Sequence, residues 1–253
     1  MANKKTINLY DGNVEITFYP DSHRYLKDGK PLISVTAATG IIDKSRVLIW
    51  WATNLMKDYL FEFVNNNEDF SLEDLYNAIE EAAKQHQVKK EEAADIGSQV
   101  HEWCEMYIKA KINGDPEPEM PNDDKVLNGI TAFLEWLSEH KVKFHCSERL
   151  VYSKKHNYVG TLDAIATVNG KKYLIDFKTS KGVYNEFFYQ VAAYRAAYEE
   201  ETGEKLDGSI IIHFDKDTGE FEVIDIDNHK KDYKVFLACL TIKKREKELS
   251  KKI

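Results

Sequence analysis

The stretch YVGTLDAIATVNGKKYLIDFKT, Tyr158 to Thr179, reads as two apolar strands joined by the tight-turn signal Asn169-Gly170. Each strand carries one acid in an otherwise apolar run, Asp163 in GTLDAIA and Asp176 in LIDFKTS. Side chains alternate along a strand, so Asp176 and Lys178 leave one face while Phe177 enters the other. A structural ion pair is the plain explanation of Asp176 with Lys178. The same acid-x-lysine pattern also occurs at Asp28-Gly29-Lys30, Asp123-Asp124-Lys125, Glu139-His140-Lys141 and Asp232-Tyr233-Lys234. Only Asp176, however, lies in an apolar β run with a second acid across a hairpin. Two carboxylates brought together in a sheet repel, and the usual relief is a shared proton or a divalent cation.

Upstream of this hairpin, VKFHCSERLVY also reads as a strand, and downstream a helix is expected from about Asn185 to Thr202. SIIIHFD and EFEVIDI follow as strands around Asp217-Thr218-Gly219, then a basic helix from about His229. Between about Ala37 and His140 the apolar period is helical, in RVLIWWATNLMKDYLFEFV, LEDLYNAIEEA, IGSQVHEWCEMYIKA and KVLNGITAFLEWLSEH. The opening reads as a small hairpin, from Val14 to Tyr19, His23 to Leu26 and Pro31 to Val35 around Asp28-Gly29. The fold class is therefore α/β (α+β), a central mixed sheet flanked by helices behind an N-terminal helical region. We expect residues 1–140 to form the hairpin and helical part, residues 141–253 the core, and the whole one compact unit.

A chain of 253 residues with 43% hydrophobic and 31% charged residues has the composition of an ordinary globular protein. No run approaches the roughly 18 apolar residues of a membrane span, and MANKKTINLY turns polar too soon for a signal sequence, so a cytoplasmic protein without membrane partners is expected. Cys104, Cys146 and Cys239 form no CxxC pair, which argues against a zinc knuckle or disulfide framework and suits buried reduced thiols. The net charge of −8 looks adverse to nucleic acid. An enzyme that holds divalent cations against phosphate needs carboxylates in its site, however, and its basic residues need line only one groove.

Four motifs in order carry a more specific signal. Gly97-Ser98-Gln99-Val100-His101, Gly160-Thr161-Leu162-Asp163, Asp176-Phe177-Lys178 and Gln190-Val191-Ala192-Ala193-Tyr194 resemble the GxxxH, GxxD, DxK and QxxxY signatures of RecB-like nucleases of the PD-(D/E)XK superfamily. The likeness covers about Ile33 to Asp215, and HRYLKDGKPLISVT is similar to the entry of phage and mitochondrial members. It implies a restriction-endonuclease-like core in which Asp163, Asp176, the Phe177 carbonyl and His101 hold one or two Mg²⁺ or Mn²⁺ ions; Glu148 on the preceding strand would stand behind those ligands or serve as a further one. Such hard oxygen donors with one imidazole suit those ions. Lys178 would then orient water or stabilise the transition state, and Gln190 and Tyr194 would position Lys178 and the DNA backbone. The chain departs from the iron–sulfur subset of the family, so no cluster is expected.

The activity so implied is an exonuclease acting on DNA ends or single strands in recombination or repair. An endonuclease of the same superfamily is the alternative, and a silent nucleic-acid-binding module the third reading. In the family, helical additions confine the strand, and Trp50 and Trp51 could stack on unpaired bases or simply pack. Ser34 and Thr36 could bind phosphate or cap a helix. The basic C-terminal helix could follow a phosphate backbone or be a solvated face, and Cys104 is read as a buried thiol rather than a ligand.

Overall fold

A computed structural model describes residues 4–250. The chain divides into two units, one made of residues up to Ile42 together with those from Val100 onward, the other Asp43–Gln99.

In the first unit, β1 (Lys5–Leu9), β2 (Val14–Tyr19), β3 (Arg24–Lys27) and β4 (Lys30–Pro31) form an antiparallel sheet in that order. It is larger than the hairpin expected from sequence, because Lys5 to Leu9 pairs with β2 although its polar start hides the alternation. Asp28 and Gly29 close the turn between β3 and β4 with φ of 51° and 71°, the double left-handed conformation of a two-residue hairpin. One face of this sheet buries Leu9, Val14, Ile16 and Tyr25 against Leu150, Tyr152 and Val159.

The expected continuous strand from Pro31 to Val35 is interrupted. After β4 the chain crosses to the central sheet as β5 (Ile33–Ser34), and Val35 already opens a short helix, α1 (Val35–Thr39). Ser34 Oγ accepts from the Ala37 N–H at 3.1 Å, so Ser34 takes the capping role.

The central sheet is mixed, as expected. It runs β10 (Phe221–Asp225), β9 (Gly208–Phe214), β8 (Lys171–Lys178), β7 (Tyr158–Val168), β5, with β6 (Val142–Ser153) also on β7. The β8–β9 and β5–β7 pairs are parallel and the others antiparallel. Helices cover both faces, which is why β7 and β8 read as nearly unbroken apolar runs rather than a clean alternation. On one face α5 (Asn185–Thr202), α6 (His229–Leu249) and α1 bury Leu174, Ile211, Val191, Tyr198, Phe236 and Leu240. On the other, Phe133 of α4 (Asp124–Glu139) meets Phe177 and Phe214 edge-on, at ring-centroid distances of 5.5 and 6.0 Å. Each such fully buried ring contributes about 1.5–3 kcal/mol.

In the second unit α2 spans Ser45–Asn66 and buries none of its residues, leaving Val47, Leu48, Ile49, Trp50 and Phe61 exposed. The two helices expected around LEDLYNAIEEA and IGSQVHEWCEMYIKA are one element, α3 (Leu72–Asn113), which ends in the first unit. The polar residues between them contain no Gly or Pro and are tied by pairs such as Lys84–Glu81 at 2.9 Å and Lys89–Glu92 at 3.0 Å, so nothing stops the helix. Cys104 and Cys239 are buried free thiols and Cys146 is half-buried. No helix among the described residues is long and apolar enough to cross a membrane.

Candidate active site

The site forms where one edge of β7 changes partner. β6 is paired along the whole of β7, so β8 and β5 must share the opposite edge, β8 at Ala164 to Val168 and β5 at Tyr158 and Val159. Between them, among the described residues, Gly160 to Asp163 have no strand paired on that edge and face a notch. The last β7–β8 pair is Ala164 with Ile175, and one step further the register would set Asp163 opposite Asp176. The Asp163 carboxylate takes the place of the missing backbone partner there, accepting the Phe177 N–H on Oδ2 at 2.7 Å. β8 stays straight because its other edge remains paired to β9, Asp176 with Ile211 and Lys178 with His213.

On the β6 side, the pairs Ser147–Ala164 and Arg149–Leu162 put Glu148 beside Asp163. Glu148 has φ of 48°, a left-handed conformation that costs a non-glycine residue roughly 1–2 kcal/mol. Three acids, Glu148, Asp163 and Asp176, thus occupy one row across β6, β7 and β8.

His101 reaches this row from α3, with Nδ1 3.9 Å from Asp163 Oδ2 and its ring edge-on to Phe177 at 6.5 Å. Lys178 makes an ion pair with Asp176, and its ammonium lies 4.8 Å from the centroid of the Phe187 ring on α5. Tyr194 of α5 lies against Gly160 beside the notch. A Cβ on Gly160 would come within 2.5 Å of the Tyr194 ring and 3.0 Å of Val35, so glycine is required here by close approach. Gln190, one turn before Tyr194, donates from Nε2 to Thr39 Oγ1 at 3.0 Å.

The structure therefore gathers His101, Glu148, Asp163, Asp176, Phe177, Lys178 and Tyr194. Ser34 and Thr36 sit at the start of α1, their hydroxyls 3.2 Å apart. Trp50 is exposed and Trp51 half-buried on α2 in the second unit. Three neighbours escaped the sequence reading. Glu105 follows His101 by one helical turn, adds negative charge at Asp163 and Glu148, and pairs with Lys109. The i, i+4 spacing from His101 was a usable signal for it. Thr39 and Tyr25, whose hydroxyl lies 3.2 Å from Thr161 Oγ1, come from distant segments and left none.

Burial and crowding of like charge unsettle every acid in the row. Burial, followed by Asp163, pushes Asp176 up to about 6 even against the opposing pull of Lys178. Burial raises Asp163 as well, although Lys178 and the Phe177 N–H oppose it. Glu148 is raised by burial of its inner side, then by Asp163 and Glu105, while solvent reaches its outer side. Burial works against the Lys178 ammonium, but Asp176 and Asp163 outweigh it and raise its pKa. His101 is lowered to about 4 by burial and by repulsion from Lys178, so its ring is neutral at pH 7. Burial and then the two aspartates raise the Tyr194 hydroxyl well above its usual range, so it remains a neutral donor.

Two of these shifts oppose each other in stability. Asp176, raised from 3.8 to about 6, favours the protonated folded form, so its contribution falls as pH rises through that window. His101, lowered from 6.5 to about 4, favours the neutral folded form, so its contribution rises with pH over nearly the same range. Asp163 and Glu148 are raised as well and titrate across the same range, so the contribution of His101 is read as a difference: the stability advantage of wild type over His101→Asn in EDTA should grow as pH rises from about 4 to 6.5. In that variant the fall due to the raised acids of the row loses its main local opponent, and the urea midpoint should decline relative to wild type as pH rises. A His101→Asn midpoint that tracks wild type across this range would contradict the assignment.

The donor set suits a hard divalent cation. It offers carboxylates whose mutual repulsion a dication would relieve, the neutral imidazole of His101 and the Phe177 carbonyl. Among the described residues no three His, Cys, Asp or Glu side chains already surround one ion position. The positive charge beside Asp176 is the Lys178 ammonium.

No protein-family model matches the chain, and no curated protein matches it. Among solved structures, it is similar to SSO0001 with a TM-score of 0.31 and 16% identity over 48% of this chain and 60% of that one. It is also similar to an alkaline exonuclease, LHK-Exo, from Laribacter hongkongensis, with a TM-score of 0.30 and 14% identity over 63% of this chain and 92% of that one. The same exonuclease in complex with dAMP gives a TM-score of 0.29 and 15% identity, with the same coverage. Likenesses of this size carry no weight for function.

Proposed function

We propose that the chain is a metal-dependent nuclease that hydrolyses DNA phosphodiester bonds, acting as an exonuclease on free ends or single strands in recombination or repair. The observation that carries this reading is the notch in the β7 edge, where Asp163, Asp176 and Lys178 meet under His101. The ordered GxxxH, GxxD, DxK and QxxxY motifs supply the same residues, and the restriction-endonuclease-like core is the fold that those motifs imply.

Asp163, Asp176, the Phe177 carbonyl and His101 would hold Mg²⁺ or Mn²⁺, with Glu148 at the rim as a further oxygen donor. Bound there, the ion would neutralise the phosphodiester and acidify a water. Lys178 supplies a positive charge shielded from bulk water, where negative charge grows on the phosphoryl oxygens. For this it must release Asp176, and the Phe187 ring gives the ammonium a second resting surface. Tyr194 and Gln190 hold that side of the site as neutral hydrogen-bonding groups. Trp50 offers a stacking surface for an unpaired base, and Thr36 a hydroxyl for phosphate.

The test is incubation with end-labelled linear DNA and covalently closed circles, in Mg²⁺, Mn²⁺ or EDTA. Linear DNA should be degraded from its ends with either ion, circles spared, and EDTA should abolish the reaction. Cleavage that persists in EDTA would sink the metal role. Efficient internal cutting of single-stranded circles would replace the exonuclease by the endonuclease.

A further inference from the structure

We infer that Thr39 is a positioning residue for the reaction, acting through Gln190 on Lys178. The inference rests on the nuclease reading and adds to it a residue outside the motifs. Thr39 closes α1 and is 2% exposed. Its hydroxyl lies 3.3 Å from both the Val35 and Thr36 carbonyls, which accept its only proton. Toward Gln190 it can therefore act only as an acceptor, and the contact at 3.0 Å is made by Gln190 Nε2. That one-way bond decides which end of the amide turns inward. The nitrogen is held at Thr39, and the carbonyl oxygen is the end left to serve another group.

The group it would serve is a hydrogen-bond donor rather than a phosphate oxygen, because a carbonyl cannot donate. On α5, Gln190 lies three residues beyond Phe187, whose ring the Lys178 ammonium already covers, and one turn before Tyr194 beside the notch. Lys178 is a cation that the structure sets against this helix, at the Phe187 ring. The Gln190 oxygen thus gives the ammonium an acceptor on the α5 side when it leaves Asp176, and Thr39 fixes that acceptor before substrate arrives. α1 cannot easily slip, since Val35 packs under the Tyr194 ring at Gly160 and Ser34 caps its start.

Thr39→Val keeps the shape and removes the hydroxyl, while Thr39→Ser restores it. Because Gln190 acts on Lys178 and not on substrate binding, Thr39→Val should lower kcat roughly tenfold with KM within about twofold, as expected for one hydrogen bond used mainly in the transition state. Thr39→Ser should recover most of the loss, and Gln190→Ala combined with Thr39→Val should be no worse than Gln190→Ala alone. Independently of activity, the Gln190 side-chain amide signals in a nitrogen–proton NMR spectrum, assigned by their absence in Gln190→Ala, should move in Thr39→Val and return in Thr39→Ser. If those signals stay in place in Thr39→Val, or kcat is unchanged in an active protein, the role of Thr39 is overturned and the nuclease reading stands. If the wild type cleaves no DNA with either ion, the nuclease reading falls and the role falls with it, whatever the amide signals do.

Discussion

Asp163→Asn should leave a folded protein that cleaves DNA on the order of 10³-fold more slowly. Asparagine retains an oxygen that can accept the Phe177 N–H, now received by Asp163 Oδ2 at 2.7 Å, so the end of the β7–β8 ladder stays closed. What it removes is charge. On the proposed reading a cation held by two carboxylates would lose one of them, and with it the neutralisation that the phosphodiester needs. Thermal melting and cleavage of an end-labelled strand should therefore part company, with the first nearly unchanged and the second lost. Asp163→Ala, lacking both charge and acceptor, should in addition lose stability by about 1–3 kcal/mol, because the Phe177 N–H is left without a partner. Substantial cleavage by Asp163→Asn would remove Asp163 from the chemistry and leave it a strand-end cap.

Lys178→Ala should likewise abolish cleavage, but its cost to the fold should depend on pH. Asp176 is 1% exposed and faces its ammonium partner, so deleting the lysine strands a buried carboxylate, at up to about 3–5 kcal/mol. The carboxyl can escape by taking up a proton. Its folded pKa, already raised, rises further once Lys178 no longer pulls it down, while the unfolded value stays near 3.8. A raised carboxylate pKa means that stability is fully present below the unfolded value and is lost as pH climbs through the folded one. Urea midpoints of Lys178→Ala in EDTA should thus approach wild type near pH 4 and fall well below it by pH 8, and millimolar Mg²⁺ or Mn²⁺ should narrow the gap by taking the place of the missing charge. A pH-independent loss would mean that Asp176 is not the group released.

The sequence told most where local chemistry decides. Asn169-Gly170 fixed the β7–β8 turn, with φ of 49° and 87° as a two-residue hairpin requires, and strand alternation put Asp176 and Lys178 on one face. The helix from Asn185 to Thr202 and the one beginning at His229 have the expected bounds. What could not be read depends on the return of distant segments. Nothing around Ile33 announces that two residues will cross to β7 and leave a notch beyond them. The left-handed turn of Glu148 and the bond from Gln190 to Thr39 are likewise consequences of packing, as is the small first sheet that needs Lys5 to Leu9. The length of α3 was missed for a different reason, since charged helix formers sustain a helix without the apolar rhythm by which helices are recognised.

The split edge of β7 also bears on how the protein comes apart. Asp163, Asp176 and Lys178 lie on one hairpin closed by a two-residue turn, whereas β5 returns from far upstream and, among the described residues, pairs with the notch's other lip only at Ile33–Tyr158 and Ser34–Val159. With so little backbone pairing, what keeps that lip shut is side-chain packing, above all of the fully buried Val35 and Ala38, so opening it costs their burial and regains the entropy of a long loop. A molecule opened in this way keeps its acids and lysine together but loses the Val35 contact and the Thr39 anchor. It is disarmed before it is unfolded, and reclosing the lip restores it without rebuilding the sheet.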